Sequence, residues 1–395
     1  MINPLTLYSV FFLFALVLNL LHWSIYFPSI SGKLLFFLLS TIFVALFIGF
    51  LQKEKIKMLT KGKINISIKI IKYCLVFVFF VTIIDGIYSG GFPLLGQVDY
   101  STYGMPILHP FLILFSESLF ILTFNTYLVD ERAETLFLAI LFFIPPVVAL
   151  SRGTFLIEIL IAVWCYVYTK KINLKKGITI FFIGVFSVYV FGISGNYRLN
   201  NQVENTSGIK NIEDSTLIKQ VGGINTDILE KVNLSPLYWT YVYAASPVAN
   251  LQKTVDSYGD ITEQNTRKFF ITQFMMDFFS KRVYPNYANE KKASSLMTQV
   301  NSTLTVGTAY RESYILLGWL GLFFFATGIF LFELIYIKLL SAFTPEFATI
   351  GIAILNSIYC LLIFSNMLVY SGVSMLLVLP FVLKFLKIIR INKKV

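Results

Sequence analysis

Apolar runs long enough to cross about 30 Å of hydrocarbon recur near residues 5–27, 34–51, 70–88, 106–128, 135–150, 154–169, 177–194, 313–338, 347–365 and 369–389. They predict about ten transmembrane helices. The connections are short and polar, with two exceptions. Residues 195–312 form a 118-residue polar insert, too long for a connector. Residues 89–106, "SGGFPLLGQVDYSTYGMP", are rich in Gly, Pro and Tyr and read as a partly re-entrant loop lining a cavity from outside. Within the insert, "SPLYWTYVYAASPVANL" (235–251) and "RKFFITQFMMDFF" (267–279) space apolar and aromatic residues as interface-lying helices do. The expected fold is all-α: a polytopic bundle with helices 1–7 in residues 1–194, a mainly helical cap over 195–312, and helices 8–10 with a basic tail over 313–395.

Composition agrees. The chain is 56% hydrophobic and 13% charged, with a mean hydropathy of +0.74, which excludes an ordinary soluble domain. Cys74, Cys165 and Cys360 lie inside apolar runs, so no disulfide or metal framework is expected. The first run lacks a basic n-region and a small-residue cleavage site and reads as a retained span. Of 32 Lys and Arg, 12 fall in the insert. Eighteen of the rest fall in loops or ends on one side, and only Lys33 and Arg152 on the other. By the positive-inside rule both termini are cytoplasmic and the insert lies outside. The net charge of +11 is then a consequence of topology, and a nucleic-acid partner is not indicated.

Arg152, in "FLAILFFIPPVVALSRGTFLIEILIAVWCYVY", sits among mostly apolar residues. A guanidinium keeps its charge, so it needs water, an acid or an anionic ligand. The flanking spans have about 16 residues each, about 24 Å of helix. Their shared turn, Ser151-Arg152-Gly153, is therefore expected just below the outer headgroups. Gly153 is expected to let the backbone reverse there, with Ser151 or Thr154 capping the next helix. Arg152 either snorkels to lipid phosphate or joins an anion pocket. Arg198 in "GNYRLNN" and Arg311 in "GTAYRESYILLGWLG" are expected at the same level, and three guanidiniums there suit a diphosphate.

Acids inside or beside the spans are Asp85, Glu117, Glu158 and Glu333, with Asp99 in the re-entrant loop and Glu312 beside Arg311. Intramembrane carboxylates are either functional or paired. His22 reads as a packed histidine in the first span. His109, in "YGMPILHPF", stands about one turn into a span at the outer face, where a base could meet a hydroxyl; it serves equally as a structural donor. "GWLG" (318–321) reads as close helix packing. Walker, CxxC, HExxH and GxSxG signatures are absent from the sequence, and neither cofactor nor metal is expected.

In order, "GGFPLLG…DYSTYGMPILHP", "ALSRGTFL", an outer loop opening with "NYR", and "YRESYILLGWLG" resemble the O-antigen or oligosaccharide repeat-unit polymerases, the Wzy-type enzymes. The resemblance covers about residues 75–340. It implies a GT-C-like bundle with a periplasmic cap in the bacterial inner membrane. It also implies transfer of a growing glycan from undecaprenyl diphosphate to the sugar hydroxyl of another lipid-linked repeat unit. The partners implied are the lipid-linked oligosaccharide, membrane lipid and a chain-length regulator. Motif position then makes Arg152, Arg198 and Glu312 the catalytic candidates, joined by His109 as base. Arg311, Asp85, Asp99, Tyr197 and Tyr310 are the substrate-binding candidates. An O-antigen ligase shares the donor, and a lipid-linked oligosaccharide flippase shares diphosphate-binding arginines, but the long insert argues against a flippase.

Overall fold

The computed structural model describes residues 2–60, 66–100, 102–170, 222–224, 235–259 and 265–392, with Gly177, Ile178, Phe182 and Tyr189 as separate positions. Among these residues the named elements are all helices, and the isolated bridge between Ser24 and Ile224 is the β pairing present. Most of the expected seventh span, 177–194, and most of 195–234 lie outside the described residues.

Among the described residues, four helices are long and apolar enough to cross a membrane by length and composition: α2 (Gly32–Leu51), α4 (Ile68–Ser89), α5 (Leu108–Asp130) and α13 (Arg311–Phe343). Shorter apolar helices accompany them. These are α1 (Pro4–Leu20), the broken pair α6 (Ala133–Leu141) and α7 (Ile144–Val148), α8 (Arg152–Thr169), α14 (Ala348–Leu361), and the segment from α15 (Ser371–Ser374) into α16 (Leu379–Asn392). Lys53–Leu59 forms α3, and the insert contributes α9 (Ser235–Tyr258), α10 (Thr266–Phe274), α11 (Asp277–Val283) and α12 (Tyr287–Thr298). Phe36, Phe43, Phe47 and Phe50 of α2 are exposed, an apolar surface that only lipid or a partner would cover.

The centre of the bundle is α14, in which every residue is buried. It packs against α8, α1, α13 and α16. Its one amide, Asn356, donates to the Tyr168 hydroxyl at 2.8 Å, which in turn donates to the Ile2 carbonyl at 3.0 Å. The amide N–H is thus satisfied, while Asn356 Oδ1 has no hydrogen-bond partner among the described residues. A second knot joins the Tyr8 and Tyr310 hydroxyls at 2.6 Å, with Thr41 3.0 Å from Tyr8. At the start of α1, Asn3 caps the helix and reaches the Gly49 carbonyl at 2.8 Å, locking α1 to the end of α2.

Several sequence expectations change. The first span stops at Leu20, because His22 adopts a positive φ of 51° and lies exposed rather than packed in a span. The 135–150 run breaks after Leu141, ahead of Pro145-Pro146, which form the first turn of α7. The chain reverses at Leu150, with φ 54°, and not at Gly153, whose φ is not positive. Helix α9 is not laid on an interface: Val242, Ala245, Val248 and Ala249 are fully buried, and it packs on α1 and α13. "GWLG" is a kink. Gly318 takes φ 58° and ψ −140° inside α13. A Cβ at Gly321 would lie 2.0 Å from the Ser313 carbonyl oxygen, so the turn before the kink folds directly onto this glycine.

Candidate active site

The end of α4 and the start of α5 are brought together by the loop between them. Gly90 ends α4 with φ 77°. The loop returns so that the Gly104 N–H donates to Ser89 Oγ at 2.9 Å. Gly104 has φ 107°, and a Cβ there would stand 2.5 Å from His109 Cγ, so the backbone passes directly over the imidazole. Beneath it lies Asp85, 0% exposed. Its Oδ1 accepts the Met105 N–H at 2.6 Å and its Oδ2 lies 2.6 Å from His109 Nδ1. An ionised carboxylate can only accept, so the Nδ1 proton points at Asp85 and Nε2 is the ring nitrogen left for a ligand. Tyr103 meets the imidazole edge-on at 5.2 Å. Burial, with the Asp85 charge adding to it, pushes its phenol up to about 12, so it stays neutral.

Asp85 is therefore a positioning partner of His109. It is expected above to bind substrate, but none of its surface reaches the cavity. Asp99 lies exposed in the loop, its carbonyl accepting the Thr102 N–H at 3.2 Å. Loop 89–106 lines neither cavity described here; it holds the dyad instead.

His109 opens on a cavity of about 650 Å³. His109, Ile113 and Glu117, four residues apart, share one face of α5 and all line it. Glu117 thus lies about 12 Å along the helix from the imidazole. It is 2% exposed, and its Oε2 has no hydrogen-bond partner among the described residues. Glu158 on α8 is equally buried, with neither oxygen bonded there. The opposite wall is the start of α8, where Ser151 Oγ and Thr154 Oγ1 lie 2.8 Å apart. Arg152 is the first residue of α8, next to Ser151 at the helix's positive end; its side chain lies outside the described residues.

The third wall comes from the insert. Lys281 and Arg282 of α11 line the cavity beside Tyr370 and Ser371. Lys281 donates to Asp277 at 2.7 Å, and Arg282 stacks 3.8 Å over the Phe278 ring. Asp277 accepts the Ser371 N–H at 2.9 Å and also its hydroxyl, clamping α11 to the segment after α14. Burial alone would raise the Asp277 carboxyl, but the bonds from Lys281 and Ser371 outweigh it and hold it below the usual range.

Arg311 and Glu312 do not join this site. They line a separate cavity of about 510 Å³. Arg311 Nη1 donates to the Thr305 carbonyl at 3.1 Å, and Nη2 lies 3.5 Å from Glu312 Oε1. Tyr310 is in neither cavity. It is fully buried in the knot with Tyr8, too deep for a substrate contact. Tyr197 and Arg198 lie outside the described residues. Lys281, Arg282, Tyr370 and Ser371 went unread in the sequence, although the Lys281-Arg282 pair ending an aromatic run was a usable signal.

Comparison with protein-family models, with curated proteins and with solved structures finds no match to this chain. The all-helical fold and its apolar helices define a class, a helical protein with membrane-spanning character, and the reading of its chemistry rests on the site.

Proposed function

We propose that this protein is a multi-pass membrane glycosyltransferase that polymerises undecaprenyl-diphosphate-linked oligosaccharide repeat units into a surface polysaccharide. In this reading the bundle has about ten spans in a GT-C-like arrangement in the bacterial inner membrane, with both termini cytoplasmic and the 195–312 insert periplasmic. The observation that carries it is the His109–Asp85 pair on a cavity whose other walls bring Lys281, Arg282 and the helix end bearing Arg152.

In the reaction, the acceptor sugar hydroxyl attacks the anomeric carbon of the donor. Its proton passes to His109 Nε2. The bond from that carbon to the diphosphate oxygen breaks, and its electron pair leaves with the lipid diphosphate. Asp85 holds the imidazole in the accepting tautomer and steadies the imidazolium. The cations neutralise charge building on the leaving group.

His109→Gln should leave normal amounts of protein in the membrane but surface polysaccharide as single repeats. Long-chain ladders of normal intensity would sink the proposal. A reporter fused near residue 240 should read periplasmic, and a cytoplasmic signal would overturn the topology. Deleting the gene separates polymerase from ligase, since the first leaves core plus one repeat and the second bare core. A flippase is favoured only by the buried carboxyls of Glu117 and Glu158, of which Glu117 Oε2 and both Glu158 oxygens have no hydrogen-bond partner among the described residues; proton-coupled transport would use such groups.

A further inference from the structure

One wall of the second cavity is a face of α12. Ala288, Lys291, Lys292, Ser295 and Gln299 recur at helical spacing and all line it. The rest comes from residues 305–309, the start of α13 and residues 364–366. The volume, about 510 Å³, lies in the range of small-molecule sites.

Three cations share this lining with one carboxylate: Lys291, Lys292 and Arg311 against Glu312. The guanidinium is already engaged. A Cβ at Gly307 would stand 2.6 Å from Arg311 Cδ, so the side chain lies against the loop backbone there. Nη1 donates to the Thr305 carbonyl at 3.1 Å, and Glu312 Oε1 balances the charge 3.5 Å from Nη2. The two ammoniums have no such counterpart. Neither makes a hydrogen bond or an ion pair among the described residues, and the adjacent Glu290 is taken by Lys268 at 2.7 Å. Both are within reach of a ligand, since Lys291 is half-buried and Lys292 exposed.

Lysines on an exposed helix face are ordinarily left to water. Here they border a formed cavity in which three cations against one carboxylate leave an excess of two positive charges. Ser365, half-buried in the same lining, adds a hydroxyl donor. Ammonium and hydroxyl donors together suit an oxyanion, because charge-assisted bonds to a carboxylate or phosphate are stronger than bonds to a neutral sugar.

We infer that this cavity is an anion site, in which Lys291 and Lys292 hold a carboxylate or phosphate group of a substrate. Asn366 belongs to this cavity and Tyr370 to the first, and four residues span at most about 14 Å, so the two adjoin one short stretch of chain. In the proposed reaction the leaving diphosphate sits beside His109, and the anion held here is a second one. Its source is an acidic sugar of the repeat unit or the diphosphate of the other lipid-linked unit. That placement rests on the polymerase reading; the anion binding does not.

The test is lysine footprinting of the full-length protein in neutral-lipid nanodiscs, with acetylation of each lysine followed by mass spectrometry. The probes are glucuronate, inorganic diphosphate and glucose, each compared with chloride at the same ionic strength. At least one anion, well above its Kd, should slow acetylation of Lys291 and Lys292 about tenfold. Glucose should do nothing, and exposed Lys33 should be unaffected throughout. Glucuronate acting alone would assign an acidic sugar, diphosphate acting alone a lipid diphosphate, and both acting a site for either. Protection by neither anion, or equal protection by glucose, would overturn the site. Ser295→Trp fills the cavity but keeps both lysines, so it should abolish the protection; protection that survives it would show exposed lysines gathering counterions and would also overturn the site. The double variant Lys291→Gln, Lys292→Gln changes only accessible positions, so it should keep the wild-type melt and lose the rise in Tm that the anion gives. His109→Gln should be protected as wild type is. Normal ladders in His109→Gln cells would instead remove the polymerase reading and leave the anion site standing.

Discussion

The two cavities differ in how their ionisable groups are arranged. Around His109, ionisable groups face one another across the space: the imidazole over Asp85, Lys281 on Asp277, and Glu117 at depth. Around Asn366, the Arg311–Glu312 pair shares the lining with Lys291, Lys292, two amides and an aromatic ring. The first arrangement can move a proton and neutralise a leaving group. The second has no imidazole–carboxylate pair in its lining.

Substitutions can break that contrast in order of size. Asp85→Asn should be the most damaging to turnover, because an amide at Oδ2 would donate to Nδ1 and turn the ring to the wrong tautomer. A rate loss on the order of 10²–10⁴ is expected, measured as polymer formed per unit of membrane protein. A loss under tenfold would mean that the dyad is structural. Next, Arg311→Met should leave the chemistry nearly intact but destabilise the protein by about 3 kcal/mol, since it removes the guanidinium paired with Glu312 in a buried site. Thermal melting in detergent reads it, and an unchanged melt with lost activity would move Arg311 back into the reaction. Lys281→Ala should cost only about tenfold in rate, because its side chain is more than half exposed and Asp277 shares its charge.

The smallest effect is a pH dependence. The Asp277 carboxyl is held below its ordinary value by Lys281 and Ser371 in spite of burial. Its ionised form therefore stabilises the fold above the unfolded carboxylate's titration, and that stability fades as pH falls through the lower folded value. Because the group is partly exposed, on the order of 1 kcal/mol or less is involved. Amide exchange over Asp277–Val283 should quicken in acid in wild type. Asp277→Asn should exchange faster at neutral pH with no further acid response; a response surviving in the variant would place its source elsewhere.

Much of this was visible along the chain and some was not. The apolar windows foretold the helices because about twenty consecutive hydrophobic residues allow little else. His109 was legible as a helix-end histidine among prolines and glycines. That Asp85 is its partner was not, because the pair depends on how a glycine-bearing loop closes over twenty-four residues of chain. Arg311 illustrates the opposite error. Its motif invited a place beside Arg152, yet the kink at Gly318 and the bond to Thr305 turn it toward another cavity.

Sequence alone determined that the chain is helical and apolar, where most helices begin and end, and which few residues could do chemistry, since these follow from local composition and period. Tertiary structure alone decided which of those residues meet. That outcome depends on loop closure and on the packing of α5, α8 and α11 around a shared space, distances that no stretch of sequence contains.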